Sequence, residues 1–260
     1  MDYLERRRRI GHYFDRTAVQ AWARLTSDAP VSGVRATVRA GRAKMRGMLV
    51  GWLGLDDRFA DCSVLDAGCG TGLLAVDLAR LGARVTAVDL SPNLVSLAHD
   101  RLPQDIAFGR IDFRSGDMLD ASLGEFDYLV AMDSLIHYAP EQVVSALAQW
   151  APRIHWAMSF TFAPSSPLLK AMFYLGRLFP KSDRSPAIVP TAFQQLKNLI
   201  DAEPALAGWT ITRRERVSKG FYTSEAIMLC SPSMAARINA ADAMPKGPLS
   251  PPTPRLGSLS

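Results

Sequence analysis

Asp66, Gly68, Gly70 and Gly72 share one ten-residue stretch, Ser63–Gly72 (SVLDAGCGTG), which closes an apolar run and opens a helical one. Glycines at that spacing let a ligand lie against the backbone, and the start of the next helix offers free N–H groups. Asp66, two residues ahead of the first glycine, is suited to hold a ligand amine or an ordered water. Seventeen residues after Gly72 comes Asp89, at the end of a second apolar run. A carboxylate there can accept hydrogen bonds from both hydroxyls of a ribose. A third acid, Asp117, lies in the turn Ser115-Gly116-Asp117-Met118 after the third apolar stretch, suited to an adenine amino group. Glycine-rich loops also open dinucleotide sites, but Gly68-Cys69-Gly70-Thr71-Gly72 is not the G-x-G-x-x-G spacing. An empty α/β domain would account for the glycines and leave the three acids unexplained.

Alternating elements must position these side chains. Strand Ser63–Ala67, helix 72–81, strand Arg84–Asp89 and a helix from Pro92 to about Leu102 come first. Ser91 caps that last helix and Pro92 occupies its first position. Strand Ile111–Ser115, strand Phe126–Met132, helix 140–151 and strand His155–Phe162 follow. The rhythm predicts a parallel, doubly wound sheet. Pro164 breaks it. Residues 163–208 read as an insertion with an apolar helix Leu168–Phe179, a turn from Pro180 to Pro186, and a helix 191–201. Strands Trp209–Val217 and Tyr222–Cys230, joined by Ser218–Gly220, pair as an antiparallel hairpin. Upstream, residues 3–26 predict a helix with Ile10, Phe14, Ala18, Trp22 and Leu25 on one stripe. Residues 31–55 predict a second, with Val34, Val38, Met45, Leu49 and Trp52 on one side. Gly33, Gly41, Gly47 and Gly51 weaken it, which suits a mobile lid. The expected units are an arm or lid over 1–55, a domain over 56–231 that carries the substrate-binding insertion 163–208, and a disordered tail over 232–260.

The 260 residues are 48% hydrophobic, enough for one packed domain with additions. Three cysteines, Cys62, Cys69 and Cys230, without a C-x-x-C pair, argue for a reducing compartment and against a zinc site. No apolar run is long enough for a transmembrane helix, and Arg6–Arg9 lack the apolar segment of a secretory signal behind them. Residues 1–51 hold ten Arg and one Lys against four acids, a balance of +7, so the remainder nets −2 of the total +5. A basic arm suits nucleic acid, anionic lipid or an acidic substrate; it is equally a solvated helix face.

The glycine loop and its acids resemble motif I and its successors in class I S-adenosylmethionine (SAM) methyltransferases. That resemblance implies SAM held by Asp66, Gly68, Cys69, Gly70, Asp89, Leu90, Asp117, Met118 and Met132. The substrate signal lies elsewhere. Tyr13–Ala40, Asp133–Tyr138 (DSLIHY), Gly176–Pro190 (GRLFPKSDRSPAIVP) and Gly220–Ser224 (GFYTS) resemble the purple-bacterial magnesium-protoporphyrin IX O-methyltransferases of bacteriochlorophyll and chlorophyll synthesis. The resemblance spans roughly residues 5–230. Plant and cyanobacterial members differ in the arm, where an Asn is expected near Ser32 and Gly-His in place of Gly41-Arg42.

The family resemblance implies a class I methyltransferase (Rossmann-like) α/β fold: a seven-stranded, mostly parallel sheet with a C-terminal antiparallel hairpin, an N-terminal helical arm and an insertion between strands 5 and 6. It implies methylation of one propionate of magnesium protoporphyrin IX by SAM, releasing S-adenosylhomocysteine. No protein-bound metal is expected, because the magnesium belongs to the substrate. A propionate with a pKa near ~4.5–5, by analogy with Glu, is ionised at neutral pH and attacks without a base. His137 and Tyr13 are the expected catalytic side chains. Phe14, Trp22, Arg39, Ser134, Phe173, Phe179, Lys181, Arg184 and Ile188 are the expected substrate contacts, an apolar slot with cations for the dianionic edge. The implied partners are the porphyrin-binding subunit of magnesium chelatase and, peripherally, the photosynthetic membrane, with a cytoplasmic location and no nucleic acid. Three alternatives remain at this point: a methyltransferase for a quinone or another lipophilic acid, a nucleic-acid methyltransferase, and a non-catalytic porphyrin carrier. The nucleic-acid reading expects Asn/Asp-Pro-Pro-Tyr after strand four, where this chain has Met132-Asp133-Ser134-Leu135.

Overall fold

The computed structural model describes residues 3–17, 19–27, 30–31, 33–55, 59–107, 109–165 and 187–236. Three helices lead the chain: α1 (Tyr3–His12), α2 (Val19–Leu25) and α3 (Gly33–Leu53). Then come β1 (Ser63–Ala67), α4 (Leu73–Arg80), β2 (Arg84–Asp89), α5 (Pro92–Asp100), β3 (Ile111–Ser115), β4 (Phe126–Ala131), α6 (Pro140–Trp150) and β5 (Ile154–Phe162). After the insertion follow α7 (Phe193–Ala202), β6 (Thr210–Lys219) and β7 (Tyr222–Cys230). The sheet order is β3-β2-β1-β4-β5-β7-β6. β1 to β5 run parallel, and β7 is antiparallel to both β5 and β6. Strand order reverses direction between β1 and β4, so a crevice opens above their C-terminal ends. The expected seven-stranded, mostly parallel sheet with its terminal hairpin is the observed one.

β1 and β4 are buried almost throughout, because helices cover both faces of a parallel sheet and demand unbroken apolar runs. One face is packed by α6 and α7 through Trp150, Leu147 and Leu196; the other by α3 and α4 through Met45, Leu49 and Leu78. β6 is one edge of the sheet, and its row of charges (Arg213–Arg216, Lys219) discourages pairing with another chain.

Three expectations change. The helix read over 3–26 is interrupted at Tyr13–Thr17 by a single π-helical turn. The extra residue brings Asp15 onto the start of α5. There Ser91 Oγ and the Asn93 N–H donate to Asp15 Oδ1 (2.9 and 3.2 Å), and Asn93 Nδ2 donates to its carbonyl (3.1 Å). The second helix is core over its C-terminal half rather than a lid. Its buried stripe is Gly41, Met45, Leu49 and Leu53, whereas Val34 is 50% exposed and Trp52 only flanks the stripe. Gly41 is a close approach: a Cβ there would overlap the Tyr222 ring in β7. Finally, residues 232–236 of the expected disordered tail are helical. The expected helix Leu168–Phe179, the turn 180–186 and the rest of the tail lie outside the described residues.

Both ends of the insertion are tied down. The Thr191 N–H donates to Ala163 O (2.8 Å), the Ser165 N–H to Thr191 O (2.9 Å) and the Val189 N–H to Ile136 O (2.8 Å). Gly41→Ala forces Tyr222 to move and is expected to cost about 1–3 kcal/mol, the usual range for overpacking, in urea denaturation. A stability equal to wild type would mean that α3 rides off the sheet.

Candidate active site

The turns after β1, β2, β3 and β4 converge on a cavity of about 330 Å³. Asp66 closes β1 and is buried at 1% exposure. Its Oδ2 has no hydrogen-bond partner among the described residues. Burial first, then the neighbouring Asp89, pushes its pKa up to about 7. The loop behind it is fixed by the Gly68 and Cys69 N–H groups, which both donate to Val88 O (2.8 and 3.0 Å). Gly68 has φ +86° and backs onto Ser134, whose Cβ a side chain there would strike. That leaves the loop face open to a ligand. Cys69 also lines the cavity, and burial raises its thiol pKa well above the usual range, so it stays protonated.

Asp89 ends β2 with both oxygens held by backbone, Oδ2 by the Gly70 N–H and Oδ1 by the Ser91 N–H (each 2.9 Å). Asp89 lines the cavity, with Leu90 beside it. Burial raises its pKa against these donors. Asp117 receives the Leu119 N–H (3.0 Å), the Tyr3 hydroxyl (3.1 Å) and an ion pair from Arg7. Tyr3 in turn stacks on Tyr138 at 5.5 Å, and burial raises both phenols, Tyr138 to about 12. Trp150 Nε1 donates to Met118 O (3.1 Å) and steadies that turn.

After β4 the chain turns out of the sheet through Asp133, which has φ 56°, a sparsely populated conformation for a residue other than glycine. Ser134 Oγ donates to Ala67 O (2.7 Å), so the β1 and β4 exits are joined. His137 follows in the short turn Leu135–His137, buried, with its ring 5.7 Å from that of Phe14. Arg6 donates to its carbonyl (2.6 Å), and the Val189–Ile136 bond holds the same turn from the insertion side.

The nine residues expected at the cofactor all line this one cavity, as do His137, Phe14, Trp22, Arg39 and Ser134. Tyr13 does not: it lies in the π turn, packs edge-on against Phe14 (5.3 Å) and is not among the described lining residues. Ile188 is 37% exposed and also outside the lining. Phe173, Phe179, Lys181 and Arg184 lie outside the described residues. Arg39 donates to the Leu25 and Arg24 carbonyls (2.9 and 2.6 Å), so much of its hydrogen-bonding capacity is spent within the arm. Sequence reasoning missed Tyr3, Tyr138, Arg42 and Arg46 in the lining, and the role of Asp133. The signal was present in part, since DSLIHY and GFYTS both carry it: Tyr222 and Ser224 donate to Asp133. Among the described residues no group of three or more His, Cys, Asp or Glu side chains is placed to hold a metal ion.

Against known proteins, residues 64–154 match the profile of a methyltransferase domain and residues 131–231 that of the magnesium-protoporphyrin IX methyltransferase C-terminus. A magnesium-protoporphyrin O-methyltransferase of Rhodobacter capsulatus is 48% identical over 87% of this chain and 97% of its own length. The corresponding Synechocystis protein is 29% identical over 84% and 93%. The crystal structure of the Synechocystis enzyme with bound S-adenosylhomocysteine superposes with a TM-score of 0.75 at 26% identity, covering 86% of this chain and 99% of that one.

The unpartnered Asp66 oxygen fits an ammonium ligand such as the amino-acid end of SAM. Because folding raises the pKa of this acid, it is protonated below about pH 7 and offers its charge only above it. SAM affinity measured by calorimetry is therefore expected to rise about fivefold from pH 6 to pH 7, and the Asp66→Asn protein to lack that rise. Asp89→Ala is expected to raise the SAM dissociation constant at least about tenfold, the worth of hydrogen bonds to a charged group. An unchanged constant would place the ribose elsewhere.

Proposed function

The chain belongs to the magnesium-protoporphyrin IX methyltransferase family, and from that premise we propose that it methylates one propionate of magnesium protoporphyrin IX in bacteriochlorophyll synthesis. The observation that carries this reading is the cavity itself, where four carboxylate-bearing strand ends meet an aromatic wall of Phe14, Trp22 and His137. When bound, SAM supplies an electrophilic sulfonium methyl group. Asp66 is proposed to hold its ammonium, Asp89 its ribose hydroxyls, and Asp117 its adenine amino group, with Met118, Leu90 and Met132 packing around them.

The rest is positioning. A propionate is ionised at neutral pH, so the protein needs no base and must instead align the oxygen and exclude water. His137, buried and held from two sides, is proposed to orient the reacting carboxylate through a hydrogen bond that leaves its charge in place. Phe14 and Trp22 supply apolar faces for the macrocycle. Phe173, Phe179, Lys181, Arg184 and Ile188 are proposed to complete the slot from the insertion, and Tyr13 to act through the Phe14 ring it packs on.

Purified protein with SAM and magnesium protoporphyrin IX is expected to give a single less polar monoester on chromatography, with release of S-adenosylhomocysteine. A carrier would bind pigment and release none. His137→Ala is expected to lower turnover about a hundredfold, the cost of a misplaced reacting group, while the SAM dissociation constant holds. Porphyrin kinetics equal to wild type would remove His137 from the mechanism.

No described helix is long and apolar enough to cross a membrane. We propose peripheral contact with the photosynthetic membrane through the outer face of α1, where Arg8 is exposed, and delivery of substrate by the porphyrin-binding subunit of magnesium chelatase. Sedimentation with anionic vesicles that weakens at high salt, and weakens further in Arg8→Glu, is the expected result. Equal sedimentation with neutral vesicles would exclude the electrostatic attachment.

A further inference from the structure

Arg42 and Asp133 form a built unit to which the methyl transfer described above assigns no role. The Asp133 side chain is 4% exposed. It accepts from four side chains on three elements: Arg42 Nη1 of α3 (2.5 Å), Thr161 Oγ1 of β5 (3.2 Å), and Tyr222 Oη (3.1 Å) and Ser224 Oγ (3.2 Å) of β7. Its own N–H donates to Thr161 Oγ1 (2.7 Å). This many donors hold one buried carboxylate and its left-handed backbone in a single position.

The unit knits α3 to the sheet, and structure alone would explain it but for two further facts. Both Arg42 and Asp133 line the cavity. And the Arg42 guanidinium, which carries five N–H donors, uses one of them on Asp133 and lies with its carbon 4.5 Å from the Trp22 ring centre. Its other donors have no partner among the described residues. Trp22 stands 5.8 Å from Phe14, and Phe14 5.7 Å from His137. A cation, two aromatic rings and an imidazole therefore follow one another by contact along the cavity lining.

A flat apolar molecule with two carboxylates on one edge matches that series. One carboxylate at His137 leaves the other for the far end. We infer that Arg42, oriented by Asp133, Tyr222 and Trp22, anchors the carboxylate that is not methylated and so sets specificity for dicarboxylic substrates. The inference rests on the proposed function above. Its charge balance is favourable: Asp133 already neutralises most of the Arg42 charge, so the guanidinium offers directed N–H groups without a strong field on the attacking oxygen. Arg39 and Arg46 line the same cavity but are engaged by arm carbonyls and by Asp77, respectively.

The test compares magnesium protoporphyrin IX with a magnesium porphyrin that carries one propionate and an ethyl group in place of the other. Wild-type protein is expected to favour the dicarboxylate about tenfold or more in kcat/KM, the worth of a hydrogen-bonded charge. Arg42→Gln is expected to raise KM for the dicarboxylate about tenfold more than for the monocarboxylate, so that the preference between the two falls to near one. Arg42→Lys should recover part of the loss. Tyr222→Phe, which removes one donor to Asp133 and leaves the ion pair, should shift the dicarboxylate KM in the same direction and less. Arg42→Gln losing activity equally on both porphyrins would show a structural role and overturn the inference. Unchanged kinetics on both would overturn it too. No ester from wild-type protein on either porphyrin would instead overturn the functional reading on which it rests.

Discussion

Four carboxylates, Asp66, Asp89, Asp117 and Asp133, converge where the parallel strands end, and the structure must keep like charges together in a poorly solvated place. Each is handled differently. Asp89 is held by two backbone N–H groups. Asp117 takes Tyr3 and Arg7 from α1. Asp133 takes Arg42 from α3 with three hydroxyls behind it. Asp66 alone keeps an unpartnered oxygen, so it carries a proton or meets a cation. The acids that would repel one another in a bare sheet thus become one site with a single open position.

That division of labour draws on the uneven charge of the chain. Part of the arm's positive charge finds partners inside the molecule. Arg7, Arg42 and Arg46 pair with Asp117, Asp133 and Asp77, while Arg6 and Arg39 cap carbonyl groups. The cations spent in this way are not offered to a polyanion, which leaves exposed residues such as Arg8 as the outward charge of the arm. The same pairing makes α1 and α3 part of the electrostatics of the sheet rather than an appendage to it.

The sheet was legible because buried parallel strands must be continuous apolar runs, and glycines and acids mark where those runs end. The cofactor-type residues followed from the same logic, since they sit within a few residues of strand ends. What escaped is long-range. Nothing in the spacing of Arg42 tells that Asp133, ninety-one positions away, will receive it. The glycines of α3 read as weakness, yet Gly41 is there to let Tyr222 in. The apolar period of the first helix runs straight through Tyr13–Thr17, so the π turn, which depends on Asp15 reaching α5, leaves no trace in the pattern. The resemblance names Arg39 among the cations for the substrate, and nothing in its spacing tells of its tie to the α2 carbonyls.

The stitch between Ala163, Ser165 and Thr191 has a consequence for how this scaffold changes over time. Because both ends of the intervening chain are pinned to each other and to β5, closing the loop costs nearly the same whatever lies inside; doubling its length adds only about 0.6 kcal/mol. Lengthening, shortening or rewriting the interior leaves the sheet register and the Asp133 unit untouched. Change within residues 166–186 is thereby uncoupled from the strand ends, so this stretch can diverge without moving the acids that line the cavity.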